Sequence, residues 1–294
     1  MNNTLNVGSD GMGSWAFGFL DPLLKRTFPH TEISHDTTKK PDLVIRSHFT
    51  NMESQEPYDT PYIVWSGESQ PVALLPTHAP LFELNTYYSP RPNSVYFPHL
   101  VAELHETKRP LGVQATDKKF CASYAFSNRV REREALFLYM RIKEPTCYSF
   151  GRSCPTKDNP FVAPASNRGQ NATTFRDFAF NVAMENAVIP GYMTEKIGFA
   201  FGSGSVPIYW GDTDTVNSFF NPASFLNVAD YSSIGKAADA AVELWKDKQK
   251  LQRFLNAPIT VNNKLADYEA IYTSYRSWQN PMVTALREAF PDLN

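Results

Sequence analysis

Residues 175–212 constrain the fold of this chain more than any other stretch of its 294 residues. Apolar side chains alternate with small or polar ones through residues 178–183, which is the period of a β-strand. A polar loop with a Pro-Gly turn follows, and a helix is predicted to begin near Glu195. Two glycines end this helix, and the apolar run at residues 206–210 predicts a second, buried strand. The stretch therefore predicts a unit of strand, loop, helix and strand.

Polar side chains gather at two points of this unit, the end of the first strand and the start of the helix. They are Glu185, Asn186, Tyr192, Thr194, Glu195 and Lys196. Ligands of parallel α/β units bind at the carboxyl ends of the strands. Thr194 is predicted to cap the helix, and the first-turn N–H groups together with Lys196 favour a phosphate or diphosphate ligand. For any one of these residues a solvated first turn is the simpler interpretation, but their clustering favours a ligand site.

Residues 180–211 resemble the donor-binding signature of the α-1,3/α-1,4-fucosyltransferases, and they read FNVAMENAVIPGYMTEKIGFAFGSGSVPIYWG. That signature is a strand ending in Phe/Met-Glu-Asn, then Tyr-x-Thr-Glu-Lys, then a Val-Pro-Ile-x-x-Gly strand. Its positions are matched in order and spacing by Glu185, Asn186, Tyr192, Thr194, Glu195, Lys196, Val206, Pro207 and Gly211. Weaker similarity extends over residues 41–267. The resemblance implies that GDP-fucose is bound by the polar residues of this stretch, Glu185, Asn186, Tyr192, Thr194, Glu195 and Lys196.

A second group of polar residues follows the strand predicted at residues 119–126. A Ser-Asn turn ends this strand, and three arginines lie at the start of the next helix, Arg129, Arg131 and Arg133. The resembled family has Ser-Asn and then an arginine that contacts the donor diphosphate, and Arg133 is the best match if one deletion is allowed. Arg131 remains an alternative. A basic, solvated helix face balanced by neighbouring glutamates is the competing interpretation.

In the first half of the chain, an apolar strand at residues 62–66 runs into a small-residue turn that carries Glu68. A carboxylate at the carboxyl end of a strand stands where α/β folds place their chemistry. The resembled family has Gly-Glu at this place, with the glutamate as general base, which implies that role for Glu68. A glutamate that merely closes a turn is the alternative. Residues 70–109, rich in proline and aromatic side chains, are predicted to form surface loops that shape an acceptor groove.

Several shorter segments carry structural predictions of their own. They are a strand at residues 4–7 with a glycine-rich turn at 8–14, a helix that starts at Asp21–Pro22, a linker at 107–117, a loop at 147–171 and a helix over 268–290.

Composition narrows the class of function. The chain has 28 basic and 30 acidic residues without a long block of either sign, so neither nucleic-acid binding nor recruitment to an anionic membrane is expected. Its 3 cysteines are too few for a disulfide framework. Since no Cys/His spacing typical of a metal site is present, no metal cofactor is expected.

No targeting segment is apparent at the N-terminus, and no apolar run approaches the roughly 20 residues of a membrane span. Golgi members of the resembled family begin with a signal anchor and a stem. A cytoplasmic protein of bacterial or viral type is therefore expected, unless the sequence is a truncated form of a Golgi enzyme.

These observations together with the resemblance predict an α/β protein of GT-B type, with two Rossmann-like domains facing across a cleft. The predicted domains are an acceptor-binding domain at 1–112, a nucleotide-sugar domain at 113–270, and a helix at 271–294 that packs back on the first domain. The implied activity is inverting transfer of fucose from GDP-fucose to an oligosaccharide hydroxyl, O3 of GlcNAc or Glc. The alternatives are a glycosyltransferase of the same fold that uses another nucleotide sugar and a catalytically inactive glycan-binding protein.

Overall fold

The computed structural model describes residues 3–11, 15–47, 59–71, 74, 78–102, 108–157, 159, 174–260 and 279–293. Its strands are β1 (Asn3–Asp10), β2 (Thr31–Ser34), β3 (Leu43–Arg46), β4 (Tyr62–Ser66), β5 (Glu83–Asn85), β6 (Ser94–Tyr96), β7 (Phe120–Tyr124), β8 (Cys147–Ser149), β9 (Phe178–Met184), β10 (Val206–Trp210) and β11 (Leu226–Asn227). Its α-helices are α1 (Trp15–Thr27), α2 (His99–Ala102), α3 (Arg131–Lys143), α4 (Lys196–Gly202), α5 (Thr213–Phe219), α6 (Ile234–Lys246), α7 (Lys248–Asn256) and α8 (Gln279–Ala289).

The chain divides into two compact units. Unit 1 comprises Met1–Ala102 with Ala266–Asn294, and unit 2 comprises Glu103–Leu265. Each unit contains one parallel sheet, in the order β2-β1-β3-β4-β5-β6 in unit 1 and β11-β10-β9-β7-β8 in unit 2. The fold is therefore α/β of GT-B type. The domain boundaries given above, and the assignment of one domain to each substrate, remain predictions.

Helices cover the sheet of unit 2, and this explains the apolar character of its strands. All seven residues of β9 are buried, as expected for a parallel strand covered on both faces. Ser233 caps α6 by accepting a hydrogen bond from the N–H of Lys236 at 3.2 Å. Ala237, Ala241 and Leu244 are buried on one face of α6, as their helical spacing indicates.

Strand β1 continues through Gly8 to Asp10, where the sequence suggested a turn. A Cβ at Gly8 would lie 3.1 Å from Cβ of Pro41, so this glycine serves close packing. Helix α1 begins at Trp15 and continues through Pro22, so the helix start predicted at Asp21 is wrong. Leu20, Leu23 and Leu24 are buried, and their packing outweighs the local effect of the proline.

Two predicted loops contain regular structure. Segment 70–109 includes β5, β6 and α2, and segment 147–171 begins with β8. These strands have three residues each, which is too short for an alternating pattern to be recognised. Of the helix predicted over 268–290, α8 covers the last part, and residues 268–278 lie outside the described ranges. Within unit 1, the ring of Phe290 packs edge-on against Phe28 with centroids 6.2 Å apart.

Candidate functional site

The centre of the candidate site is the carboxyl edge of β9 and β10. Trp210 pairs with Met184 at the end of these two strands. The next residue, Glu185, donates its backbone N–H to the carbonyl of Trp210 at 2.7 Å. The backbone of Glu185 is thereby fixed as an extension of the sheet.

The carboxylate of Glu185 is fully buried and accepts hydrogen bonds from two residues at the start of α4. It accepts from the backbone N–H of Thr194 at 2.7 Å, from the Thr194 hydroxyl at 2.8 Å and from Nζ of Lys196 at 2.9 Å. The Lys196 ammonium also donates to the Thr194 hydroxyl at 2.8 Å. One buried carboxylate therefore holds the whole Thr194–Lys196 segment against the end of β9.

The start of α4 differs from the expected cap. Glu195 takes the N-cap position, and Thr194 directs its hydroxyl to Glu185 instead of to the helix. The backbone N–H of Thr194 is likewise used by Glu185 and is not available to a ligand. Because α4 has only seven residues, the cationic side chain of Lys196 is the main feature here that attracts an anion.

Two opposing effects act on the ammonium of Lys196, whose side chain is 17% exposed. Burial lowers the pKa of Lys196, but the negative charges of Glu185 and Glu195 outweigh burial, so the pKa is raised above its ordinary value. Lys196 is therefore charged throughout the neutral range.

Arg133 reaches the same edge from α3, and its side chain is fully buried. Its Nη2 donates to the carbonyl of Glu185 at 2.8 Å and to Oδ1 of Asn186 at 2.7 Å. Its guanidinium lies 3.7 Å from the ring centroid of Phe126, a cation–π contact. Among the described residues, Nε and Nη1 of Arg133 have no hydrogen-bond partner. Burial lowers the pKa of Arg133 below its ordinary value.

The other two arginines of this segment lie elsewhere. Arg129 is exposed and forms a two-pronged pair with Glu134 at 2.9 and 3.1 Å. Arg131 is exposed at the first position of α3. Of the three arginines, the structure brings Arg133 to Glu185 and Asn186.

The loop between Asn186 and Thr194 is fixed at its turn by a residue that sequence reasoning missed. Oδ2 of Asp212 accepts the N–H of Gly191 at 2.8 Å and the hydroxyl of Thr215 at 2.5 Å. Gly191 has a positive φ of 85°, which glycine adopts without strain. Tyr192, the next residue, is buried. The position of Asp212 after the Trp-Gly end of β10 is the signal that could have pointed to it.

Gly211 lies where the surrounding side chains leave no room for a Cβ atom. A Cβ at this position would lie 2.4 Å from the Tyr209 hydroxyl oxygen and 3.0 Å from Cγ of Glu185. The glycine of the Val-Pro-Ile-x-x-Gly pattern therefore makes room for the buried Glu185 side chain.

Glu68 belongs to unit 1 and follows the carboxyl end of β4. The hydroxyl of Ser66 donates to the carbonyls of Glu68 at 3.4 Å and of Gln70 at 3.2 Å, which closes a tight turn. The Glu68 side chain is half-buried. The structure thus holds Glu68 at a strand end, as expected, in the unit that does not contain Glu185 and Lys196.

The described part of the chain presents neither a cluster of metal ligands nor a membrane-spanning helix. Within the described ranges, no three or more His, Cys, Asp or Glu side chains are grouped so that they could hold a metal ion. None of the helices in this part of the chain combines the length and apolarity needed to cross a bilayer.

Comparison with known proteins identifies a matching family and several relatives of this chain. The family model described as glycosyltransferase family 10 (fucosyltransferase), C-terminal part, matches residues 115–264. The chain is 45% identical over 62 residues to the alpha-(1,3)-fucosyltransferase FucT of Helicobacter pylori, covering 21% of this chain and 13% of that protein. It is 28% identical over 102 residues to an alpha-(1,4)-fucosyltransferase of Arabidopsis thaliana, covering 35% of this chain and 20% of that protein.

The matched stretches therefore span no more than a fifth of the length of these two relatives. Among solved structures, an alpha1,3-fucosyltransferase crystallised with GDP superposes with a TM-score of 0.62 at 17% identity, over 95% of this chain and 93% of that one. At this identity the likeness concerns the fold.

Proposed function

Because this chain belongs to glycosyltransferase family 10, the fucosyltransferase family, we propose that it transfers fucose from GDP-fucose to a hydroxyl group of a glycan, O3 of GlcNAc or Glc. The reaction is a single displacement that inverts the configuration at the anomeric carbon. The acceptor oxygen forms the new bond, the bond to the GDP oxygen breaks, and the acceptor proton passes to a base. The observation that carries the proposal is the charged Lys196 held by Glu185 at the carboxyl edge of β9 and β10.

Lys196 is the proposed contact of the donor diphosphate. An ammonium group has three N–H bonds, and two of those of Lys196 are directed to Glu185 and Thr194. The third is the proposed donor to a phosphate oxygen. GDP leaves as an anion, so its departure requires a fixed positive charge more than a proton. Because Lys196 is already oriented and charged, little reorganisation is needed when the leaving group forms.

Arg133 and Glu185 are proposed to support the donor site from within. Glu185 was expected to contact the donor, but its buried carboxylate is used by Thr194 and Lys196, so its proposed contribution is to position them. Arg133 fixes the amide oxygen of Asn186, and its Nε and Nη1 atoms are buried without a hydrogen-bond partner among the described residues. Glu195 and Asn186 are proposed to bind donor hydroxyls, with Tyr192 and Thr194 completing the pocket.

Glu68 is the proposed general base that removes the proton from the acceptor hydroxyl. Its support is its place at the carboxyl end of β4, on a turn closed by Ser66. A well-placed base contributes about 10² to 10⁴ in rate. Lys196 and Arg133 supply the positive charge in this proposal, which assigns no role to a metal ion.

The test is a transfer assay with N-acetyllactosamine and lactose as acceptors, comparing GDP-fucose with GDP-mannose and with UDP-sugars. We expect transfer from GDP-fucose, and an α-linked product from the β-linked donor in the NMR spectrum. A faster reaction with another nucleotide sugar would replace the proposed donor. Absence of turnover with all donors, together with binding of the glycans, would identify a glycan-binding protein instead.

A further inference from the structure

The carboxyl edge of the sheet in unit 1 carries the proposed base and a pair of packed tyrosines, one of which is exposed. Ser66 of β4, Asn85 of β5 and Tyr96 of β6 lie in register across three adjacent parallel strands. Glu68 follows the first of these strand ends, and Tyr88 follows the second. Adjacent strands are about 4.8 Å apart, so the row from Ser66 to Tyr96 spans about 10 Å at the backbone, comparable to a disaccharide.

Tyr88 is unusual in its exposure. Its side chain is 56% exposed, and within the described part of unit 1 it is the one large hydrophobic side chain that is exposed. Its ring lies 4.4 Å from the ring of Tyr96, centroid to centroid, at an angle of 47°. An aromatic ring that packs against a neighbour while remaining open to solvent is suited to a ligand with an apolar face.

The backbone that carries this pair is tied to the sheet. The N–H of Thr86 donates to the carbonyl of Ser66 at 3.0 Å, and the N–H of Phe97 donates to the carbonyl of Asn85 at 2.7 Å. The Thr86 hydroxyl accepts the N–H of His99 at 2.9 Å. These bonds hold the strand ends of β4, β5 and β6 together, so the segments that carry the two tyrosines and Glu68 start from one fixed edge.

Charge at this edge favours a neutral ligand. The cation nearest to the pair in sequence, Arg91, lies 3.0 Å from the buried carboxylate of Glu83, which neutralises it. The carboxylate of Glu68, which follows the end of β4, disfavours a phosphate group at this edge. A pyranose ring is neutral and has one face of C–H groups that stacks on tyrosine and a rim of hydroxyls that forms hydrogen bonds.

We propose that Tyr88, supported by Tyr96, is the stacking platform for a sugar ring of the acceptor glycan. The inference rests on the proposed function, since it places the acceptor beside the general base of that reaction. The sugar that stacks on Tyr88 is then either the sugar whose hydroxyl reacts at Glu68 or the sugar directly linked to it.

The test compares Tyr88→Ala, Tyr88→Phe and the control Tyr139→Ala, in which a similarly exposed tyrosine of unit 2 is removed (48% exposed). We expect Tyr88→Ala to raise the KM for N-acetyllactosamine about tenfold, as for loss of an aromatic contact. Tyr88→Phe and Tyr139→Ala keep the wild-type KM within about twofold. Hydrolysis of GDP-fucose in the absence of acceptor stays unchanged in all three. An unchanged acceptor KM in Tyr88→Ala, or a raised KM for GDP-fucose, overturns the platform.

A binding measurement separates failure of this inference from failure of the proposed function. Saturation-transfer NMR with N-acetyllactosamine and with lactose reports contact with sugar C–H protons whether or not fucose is transferred. We expect saturation in the wild-type protein and its loss in Tyr88→Ala. Equal saturation transfer to the sugar protons in both proteins would overturn the proposed role of Tyr88, even if the enzyme is active. Absence of saturation transfer from the wild-type protein to either sugar would overturn it as well.

Discussion

The buried carboxylate of Glu185 lies 2.9 Å from the ammonium of Lys196, and the two residues are connected through Thr194 as well. This pair joins the end of β9 to the start of α4. A buried carboxylate that loses its cation is strongly destabilising because the remaining charge has no solvent. The pair therefore couples the stability of unit 2 to the geometry of the proposed donor site.

Lys196→Met is expected to lower the free energy of unfolding by about 3 kcal/mol at pH 7, since it leaves Glu185 buried without its cation. The pKa of Lys196 is raised above 10.5 in the folded protein, so its contribution is present below pH 10.5 and is lost as the pH rises through the folded pKa. The difference in the free energy of unfolding between wild type and Lys196→Met is therefore constant from pH 7 and shrinks above about pH 10.5. Urea unfolding between pH 7 and 11.5 measures it. A pH-independent difference would contradict the ion pair. The double variant Glu185→Gln/Lys196→Met completes the cycle and is expected to be more stable than the sum of the single changes predicts.

Lys196→Ala is also expected to weaken GDP binding. Loss of one charge-assisted contact to a phosphate costs about 1.5 to 3 kcal/mol, or roughly 10- to 150-fold in Kd. Isothermal titration calorimetry with GDP measures this directly. Lys250→Ala, which removes an exposed lysine of the same unit, is the matched control and keeps the wild-type affinity. Unchanged GDP affinity in a folded Lys196→Ala protein would remove Lys196 from the donor site.

The secondary structure of residues 175–212 could be predicted from the sequence, but the contacts of its side chains could not. The alternating pattern of β9 and the Tyr-x-Thr-Glu-Lys segment are sufficient to predict the strand, the loop and the helix from the amino-acid sequence. The same pattern could not show that Glu185 is turned inward, because the partners that satisfy a buried carboxylate, Thr194 and Lys196, are brought to it by the loop. Asp212 was missed for a similar reason, since its partner Gly191 is 21 residues away.

The burial of Arg133 could not be predicted from the sequence either. Three arginines in five residues favoured a solvated helix face as much as a ligand site. Burial against Phe126 and hydrogen bonds to Glu185 and Asn186 distinguish Arg133 from the other two arginines.

Arg133→Met is expected to destabilise the protein as well as to weaken GDP binding. It leaves the Glu185 carbonyl and the Asn186 amide oxygen without their donor, at a cost of about 3 kcal/mol. Arg131→Ala removes an exposed arginine and is expected to change the free energy of unfolding by less than about 0.5 kcal/mol. Urea unfolding of both variants measures the contrast. Equal stability of the two would mean that the buried bonds of Arg133 contribute nothing.

Gly211→Ala is expected to disrupt the site through sterics alone. The new methyl group would meet the Tyr209 hydroxyl oxygen at 2.4 Å and Glu185 Cγ at 3.0 Å, so the side chains beneath must move. We expect a loss of about 2 kcal/mol in the free energy of unfolding, typical of overpacking, together with weaker GDP binding. Gly18→Ala is the control, because nothing lies within 4 Å of its Cβ position. On helix α1 that change is expected to stabilise by about 0.5 to 1 kcal/mol. A Gly211→Ala protein as stable as wild type would show that Glu185 tolerates displacement.

Glu68→Gln separates chemistry from binding. Glutamine keeps the size and hydrogen-bonding capacity of the side chain but cannot accept the acceptor proton, so kcat is expected to fall by roughly 10² or more while GDP affinity stays at the wild-type value. Glu32→Gln, an exposed change in the same unit, is the control and keeps full activity. A residue that only closes the turn after β4 would behave differently, with a small loss of stability and little effect on turnover. If folded Glu68→Gln kept a kcat near that of wild type, the base would have to be another carboxylate. Glu185 would be a poor candidate for it, because its oxygens are buried and already accept hydrogen bonds from Thr194 and Lys196.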